Sequence, residues 1–162
     1  MVYQLRQRER VEHSDIYLIL DNLSENDLDH LYFHSRAFIT ATLGEGFGGP
    51  IAKAIFSKIP VVSPSHTALG TFFPKDYPFN FATKSTTVTL KNQLPIYPIS
   101  SEWNLPQPGA IYEAISTLYS SSDERIRQAC DEAYETTSAY CGEENVRKIL
   151  IAELDRVYEN CN

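Results

Sequence analysis

The chain has 162 residues, the length of one ordinary domain, and its 43% hydrophobic and 22% charged residues are typical of a folded globular protein rather than a disordered one. Its 21 acidic residues outnumber the 14 basic ones, and the resulting net charge of −7 argues against the basic surface that nucleic acid would require. No apolar run approaches the roughly 20 residues of a transmembrane segment, so we expect a cytoplasmic protein and leave only peripheral membrane association open.

Apolar runs alternate with helical patterns in the first part of the chain. The three predicted strands are residues 16–20, 37–43 and 59–63. The first is apolar on both faces, which is typical of a strand buried between helix layers in a parallel sheet. Ser24 provides a cap for the helix after it, and Pro50 stands in the first turn of the next helix, where its missing amide costs nothing. This pattern predicts a doubly wound parallel α/β sheet.

The rest of the chain predicts loops and then helices. We expect one domain over residues 1–162, divided into an N-terminal segment 1–15, a β-α-β-α-β core 16–65, proline-rich loops with short strands 66–108, and helices 109–162 that pack on the sheet. Residues 86–90 are the strand-like run within the loops. The division therefore predicts a C-terminal helical tail.

Three cysteines stand late in the chain, at Cys130, Cys141 and Cys161. They form no close pair, and no histidine lies at the spacing of a metal ligand. We interpret them as reduced packing or surface thiols, and the sequence predicts no metal site.

The segment that points to chemistry is Gly-Glu-Gly-Phe-Gly-Gly-Pro at residues 44–50, between a predicted strand and a predicted helix. Ligands of open parallel sheets bind at the carboxyl ends of strands, and free amides at a helix start favour an anion such as a diphosphate. Glu45 would repel that anion but can accept hydrogen bonds from hydroxyls beside it, which describes a nucleotide sugar. The alternative is structural: the glycines form a tight turn and Glu45 caps the helix.

Residues 16–65 resemble the C-terminal donor-binding domain of GT-B glycosyltransferases, specifically the retaining family 4 (glycosyl transferases group 1). That family carries Glu-Gly-Phe-Gly-x-Pro-x-x-Glu-Ala followed by Gly-x-Pro-Val-Ile. Here the matching stretches are Glu-Gly-Phe-Gly-Gly-Pro-Ile-Ala-Lys-Ala at 45–54 and Lys-Ile-Pro-Val-Val at 58–62. The resemblance implies a Rossmann-like half of a GT-B fold that transfers a hexosyl group to a glycan or other acceptor with retention.

The resemblance also implies roles for individual residues. Glu45 corresponds to the catalytic glutamate that holds hydroxyls of the donor sugar. The positions that match donor-binding residues are Gly46, Phe47, Gly48 and Gly49 in the loop, Lys53 in the helix, and Asn22 and Leu23 where the family seats the nucleotide base. The donor is a nucleotide-diphosphate sugar, and no cofactor, metal or side-chain nucleophile is implied. His66 and Trp103 are weighed as site residues against a loop histidine and an aromatic anchor.

Two departures from the family pattern limit the resemblance. Lys53 replaces the second glutamate, which grips ribose hydroxyls, and a lysine can only donate hydrogen bonds. The family's basic pair for the diphosphate and its acceptor-binding N-terminal domain do not fit before residue 16, so we expect an incomplete enzyme, inactive alone, that needs such a domain or a partner chain. The alternatives are a degenerate, non-catalytic interaction module and an unrelated phosphate-binding α/β protein.

Overall fold

The computed structural model describes residues 15–89 and 100–160. The helices are α1 Glu25–His34, α2 Gly49–Phe56, α3 Leu69–Phe72, α4 Ala110–Ser120, α5 Asp123–Cys141 and α6 Glu143–Asn160. The strands are β1 Phe38–Ile39, β2 Val61–Val62, β3 Thr83–Thr89 and β4 Ser100–Pro106. The chain is therefore a mixed α/β protein with helices at its C-terminal end.

Strands β1 and β2 form a short parallel sheet, and α2 is the crossover between them. Phe38 pairs with Val61 and Ile39 with Val62. The ladder is extended by the bonds from the Phe38 amide to the Pro60 carbonyl, 2.9 Å, and from the Thr40 amide to the Val62 carbonyl, 3.0 Å. Strands are thus confirmed within the predicted ranges 37–43 and 59–63, but each has only two residues.

The predicted first strand, residues 16–20, is wrong in this structure. These residues form no strand, and their apolar side chains are exposed, with Tyr17 83% and Leu20 89% accessible. An apolar run is buried on both faces only where strands lie beside it and helices cover it. Among the described residues the parallel sheet has two strands, so the predicted doubly wound sheet is not confirmed.

Helices α1 and α2 begin where the sequence predicts. The Ser24 hydroxyl oxygen accepts a hydrogen bond from the Asp27 amide at 3.1 Å, which satisfies one of the free amides of the first turn of α1. Helix α2 carries Pro50 in its first turn and buries Ile51, Ala54 and Ile55. Both predicted helices are therefore confirmed.

The core lies between the parallel sheet and helices α2 to α5. Its most deeply buried large side chains include Val61, Val62, Leu69, Phe72 and Phe79. Helix α5 contacts α2 and α3, and α4 contacts β2. Two buried polar side chains bond to the main chain: the Thr137 hydroxyl donates to the Phe72 carbonyl at 3.4 Å, and the Tyr77 hydroxyl accepts from the Val61 amide at 3.1 Å.

A second sheet is the antiparallel pair β3–β4, which pairs from Thr83 with Pro106 to Thr89 with Ser100. It confirms a strand at the predicted β-rich run as far as Thr89, while Leu90 lies outside the described residues. The prediction that the last helices pack on the sheet is wrong for α6, which contacts α5 and buries none of its residues 143–159. No helix in the described ranges is both long enough and apolar enough to cross a membrane.

Helix α2 ends in a Schellman motif with a lysine at the left-handed position. Lys58 has a φ of 54°, its amide donates to Ile55, and the Ile59 amide donates to Ala54. Glycine is the usual residue at this position because it has no Cβ to strain. The Lys58 ammonium offsets part of that cost, since it lies 2.7 Å from an Asp131 carboxylate oxygen and 4.9 Å from the centre of the Tyr134 ring.

We predict that the free energy of unfolding of Lys58→Gly exceeds that of Lys58→Ala by about 1 kcal/mol. Both substitutions remove the ammonium contacts equally, but only glycine relieves the left-handed strain. Urea unfolding of the two variants measures the difference. Equal stability would show that the backbone at residue 58 is not strained.

Candidate functional site

The predicted donor loop, residues 44–50, lies between β1 and the first turn of α2. Its backbone path depends on Gly48. Gly48 is the N-cap of α2 with a φ of +89°, a backbone conformation that side chains rarely adopt. A Cβ at this position would lie 3.2 Å from Leu69 Cδ2. Within the described residues the amides of Gly48 and Gly49 make no hydrogen bond. The loop therefore presents two free amides at the positive end of the α2 dipole.

The donor loop is tied to the segment that follows β2. The Glu45 amide donates to the Thr67 hydroxyl oxygen at 3.1 Å, and this hydroxyl donates to the His66 carbonyl at 2.7 Å. Thr67 has a φ of 57°, which is unusual for a β-branched residue and costs energy of order 1–3 kcal/mol. The hydrogen bond from the Glu45 amide ties the loop to Thr67 in this conformation.

Phe47 provides a second attachment for the donor loop. Its ring centre lies 5.2 Å from that of Phe72, a fully buried residue of α3. About half of the Phe47 side chain remains exposed. The ring therefore anchors the loop with one part and leaves the other accessible to a ligand.

Glu45 and Gly46 open onto a cavity of about 380 Å³, which we call the hairpin cavity. Its described walls are Leu43, Gly44, Glu45, Gly46, Thr67, Ser101, Glu102, Trp103 and Asn104. The Glu45 carboxylate forms no ion pair or hydrogen bond with any residue in the ranges 15–89 and 100–160. It is therefore available to accept hydrogen bonds from a ligand.

Lys53 lies in the groove between α2 and α1 rather than in the wall of the hairpin cavity. Its ammonium is 2.6 Å from an Asp29 carboxylate oxygen and 3.7 Å from one of Glu25. It also lies 5.6 Å from the centre of the Tyr32 ring. The hydrogen bond to Asp29 is the main cause that raises the pKa of Lys53. The structure therefore gives this lysine a contact between helices.

Asn22 and Leu23 precede α1, and the structure does not bring Leu23 into the hairpin cavity. Leu23 lines another cavity of about 490 Å³, whose walls also include Ile19, Asp27, His30, Leu31, His34 and Ser35. Asn22 is exposed. Leu23 and the Glu45 loop thus line different cavities.

Three residues after β2 or in β4 gain importance from the structure. Both ring nitrogens of His66 are buried without a hydrogen-bond partner among the described residues, and this burial lowers the pKa of His66. Thr67, which no sequence motif singles out, accepts the hydrogen bond of the Glu45 amide. Trp103 is both packed and part of the cavity wall. No spacing rule links residues 45, 67 and 103, because their proximity depends on how the two sheets pack.

The described residues contain no group of three or more His, Cys, Asp or Glu side chains arranged to hold a metal ion. Cys130 and Cys141 are free thiols, and burial raises the pKa of Cys130 to about 11. The predicted thiol Cys161 lies outside the described ranges. The two described cysteines are therefore unlinked, and Cys130 is protonated at neutral pH.

Comparison with known proteins finds a short similarity to glycosyltransferases. Three serotype-specific mannosyltransferases WbdA of Escherichia coli are each 49% identical to the chain over 43 residues. The aligned stretch covers 26% of this chain and 5% of each mannosyltransferase. No protein-family profile matches the chain, and no solved structure matches it. The similarity covers only a small part of those proteins. It therefore supports a glycosyltransferase as the general class and nothing more specific.

We predict that Gly48→Ala destabilises the fold by about 1–2 kcal/mol, whereas Gly46→Ala has little effect. A Cβ at residue 48 meets Leu69 in a left-handed backbone, and one at residue 46 has no heavy atom within 4 Å. Chemical denaturation of both variants provides the comparison. Equal losses would contradict the conformation described for the loop.

We predict that Lys53→Glu lowers the free energy of unfolding because it places a third carboxylate beside Asp29 and Glu25. The charge-reversed double variant Lys53→Glu with Asp29→Lys should recover much of the loss. A thermal unfolding series of wild type, both single variants and the double variant measures the coupling. Additive losses without recovery would show that the Lys53–Asp29 contact contributes nothing.

Proposed function

We propose that this chain is the nucleotide-sugar-binding part of a retaining, family 4-like glycosyltransferase that transfers a hexosyl group to a glycan or other acceptor. The observation that carries the proposal is the uncommitted Glu45 carboxylate, held beside two free amides at the start of α2 and facing a cavity. The short similarity to mannosyltransferases points to the same class of reaction.

In this proposal the donor loop binds the diphosphate and the sugar hydroxyls through different groups. The free amides of Gly48 and Gly49 donate hydrogen bonds to the diphosphate, and the dipole of α2 stabilises its negative charge. Glu45 accepts hydrogen bonds from the sugar hydroxyls next to the transferred carbon. Gly46 allows the ring to approach the main chain, and Phe47 lies against it.

The reaction that the family resemblance implies needs no side-chain nucleophile. The bond between the anomeric carbon and the diphosphate oxygen breaks while the acceptor hydroxyl oxygen bonds to the same face of that carbon. The acceptor proton passes to the departing diphosphate oxygen, so atoms and charge balance without a metal or cofactor. This chain would orient the donor and stabilise the leaving group.

The proposal includes what the chain would need beyond its described residues. An acceptor-binding N-terminal domain or a partner chain would supply the acceptor and the basic groups for the diphosphate. We further propose that the β1-α2-β2 unit belongs to a doubly wound, Rossmann-like sheet of a GT-B fold, and that the protein works in the cytoplasm.

The contact of Lys53 with Asp29 favours a second candidate, a degenerate module that keeps the fold without donor binding. Lys53 occupies the position where the family has its ribose-gripping glutamate, and here it joins α2 to α1. A side chain fixed in this way serves the fold rather than a ligand. In that case the chain would act by binding another protein.

We predict that nucleoside diphosphates and their hexose conjugates shift the amide NMR signals of residues 44–53 at millimolar concentration. UDP and GDP and their glucosyl and mannosyl conjugates are suitable probes. Glu45→Gln should weaken the conjugates about tenfold or more through loss of a charge-assisted hydrogen bond, and should spare the free diphosphates.

Glu159→Gln, on the exposed surface of α6, is the matched control and should leave both affinities unchanged. Absence of any shift with all of these nucleotides would contradict donor binding and favour the degenerate module. Equal weakening of conjugates and free diphosphates by Glu45→Gln would contradict the assignment of Glu45 to sugar hydroxyls.

A further inference from the structure

We infer that the hairpin cavity is a subsite for one uncharged sugar ring and that Trp103, on β4, is its apolar platform. The inference rests on the proposed function and deepens it, because it identifies residues of β4 that would contact the donor sugar. The wall comes from the β3–β4 hairpin, which lies outside the segment that resembles the family.

Trp103 lies directly across the donor loop. A Cβ built on Gly44 would be 3.9 Å from Cζ3 of the Trp103 ring and 3.8 Å from Cγ2 of Thr67. The indole and the strained threonine therefore flank the main chain of the loop one residue before Glu45. A ligand held by the Glu45 carboxylate would have the indole beside it.

The strand geometry brings a hydroxyl to the same wall. Trp103 pairs with Thr86 and Ser101 pairs with Val88 in the antiparallel ladder. Because successive side chains of a strand point to opposite faces, Ser101 and Trp103 share one face of β4. An aromatic ring with a neighbouring hydroxyl suits a ligand that has both an apolar face and a polar rim.

The charge of the cavity excludes phosphate from this part of the site. None of the lining residues that the structure describes is lysine, arginine or histidine, and two of them, Glu45 and Glu102, are acidic. A carboxylate repels phosphate but accepts hydrogen bonds from hydroxyl groups. The diphosphate of a donor therefore belongs at the free amides of α2, with its sugar in the cavity.

The size and chemistry of the cavity suit one sugar ring. Its volume of about 380 Å³ is near the lower end of the roughly 300–1,000 Å³ typical of small-molecule sites. A pyranose has a face of C–H groups that packs on an aromatic ring and a rim of hydroxyls that bond to carboxylates, hydroxyls and amides. Glu45, Thr67 and Ser101 supply these polar groups.

An indole beside carboxylates also suits an organic cation such as choline. The neutral partners Thr67 and Ser101 favour the sugar, since a quaternary ammonium forms no hydrogen bonds with them. Choline is therefore the rival probe in the experiment.

The experiment uses the fluorescence of Trp103, which is the chain's single tryptophan. Methyl mannoside and methyl glucoside, titrated into the wild-type chain, should change the intensity or wavelength of its emission. Saturation-transfer NMR then compares variants, and Trp103→Ala should weaken sugar binding about tenfold. Tyr119→Ala removes a fully exposed aromatic ring on α4 and should leave binding unchanged.

A second variant keeps the inference testable if Trp103→Ala fails to fold. Gly44→Ala places a methyl at ordinary contact distance from Trp103 and Thr67, so it should fold normally while narrowing the cavity. We expect a loss of sugar affinity of about tenfold in this variant, with unchanged affinity for free UDP or GDP.

The possible results separate this inference from the proposed function. Binding of UDP or GDP without a sugar response at Trp103, and with conjugate affinity unchanged by Gly44→Ala, would overturn the sugar subsite and leave donor binding intact. A sugar response that both variants reduce, with no diphosphate binding, would support the subsite and contradict the proposed donor site. A response to choline and none to either sugar would overturn the inference.

Discussion

The parallel pairing of β1 with β2 is the constraint on which the candidate site depends. Because the two strands run in the same direction, the loop after Ile39 and the loop after Val62 emerge at the same edge of the sheet. The hydrogen bond from the Glu45 amide to the Thr67 hydroxyl joins these loops across 22 positions of sequence. A short ladder thus positions a carboxylate, a strained threonine and two free amides, and burial of Val61 and Val62 keeps it in place.

Acidic and basic side chains lie at different positions along α2. At its N-terminal end the amides of Gly48 and Gly49 are free, and the Glu45 carboxylate of the preceding loop faces a cavity without basic side chains among the described residues. Farther along the helix, Lys53 contacts α1, and beyond its C-terminal end Lys58 contacts α5. Because both lysines are paired with carboxylates of neighbouring helices, they stabilise helix packing. The free groups at the start of α2 are therefore main-chain amides, and these are the groups that the proposed diphosphate site would use.

The starts of helices and the glycine loop could be predicted from the sequence, because capping residues, proline and glycine act locally. Ser24 and Pro50 marked the starts of α1 and α2, and the glycines of residues 44–49 marked the loop between a strand and a helix. Residues 16–20 were misread because hydrophobicity alone does not supply the neighbouring strands that a buried strand needs. The position of Trp103 beside Gly44 could not be predicted for a related reason: it is set by hairpin register and sheet packing, which no spacing within the sequence encodes. The left-handed backbone at Thr67 likewise carries no compositional signal.

The exposed apolar side chains of α6 have a practical consequence for the protein in solution. Val146, Ile149, Leu150, Leu154 and Val157 follow helical spacing, and each is about half accessible. An exposed apolar stripe of this kind favours concentration-dependent self-association of the chain. The net charge of −7 opposes it through electrostatic repulsion between molecules. Added salt screens that repulsion while leaving the stripe unchanged. Colloidal behaviour of the isolated chain is therefore governed by ionic strength, and dilute, low-salt buffers keep its molecules apart.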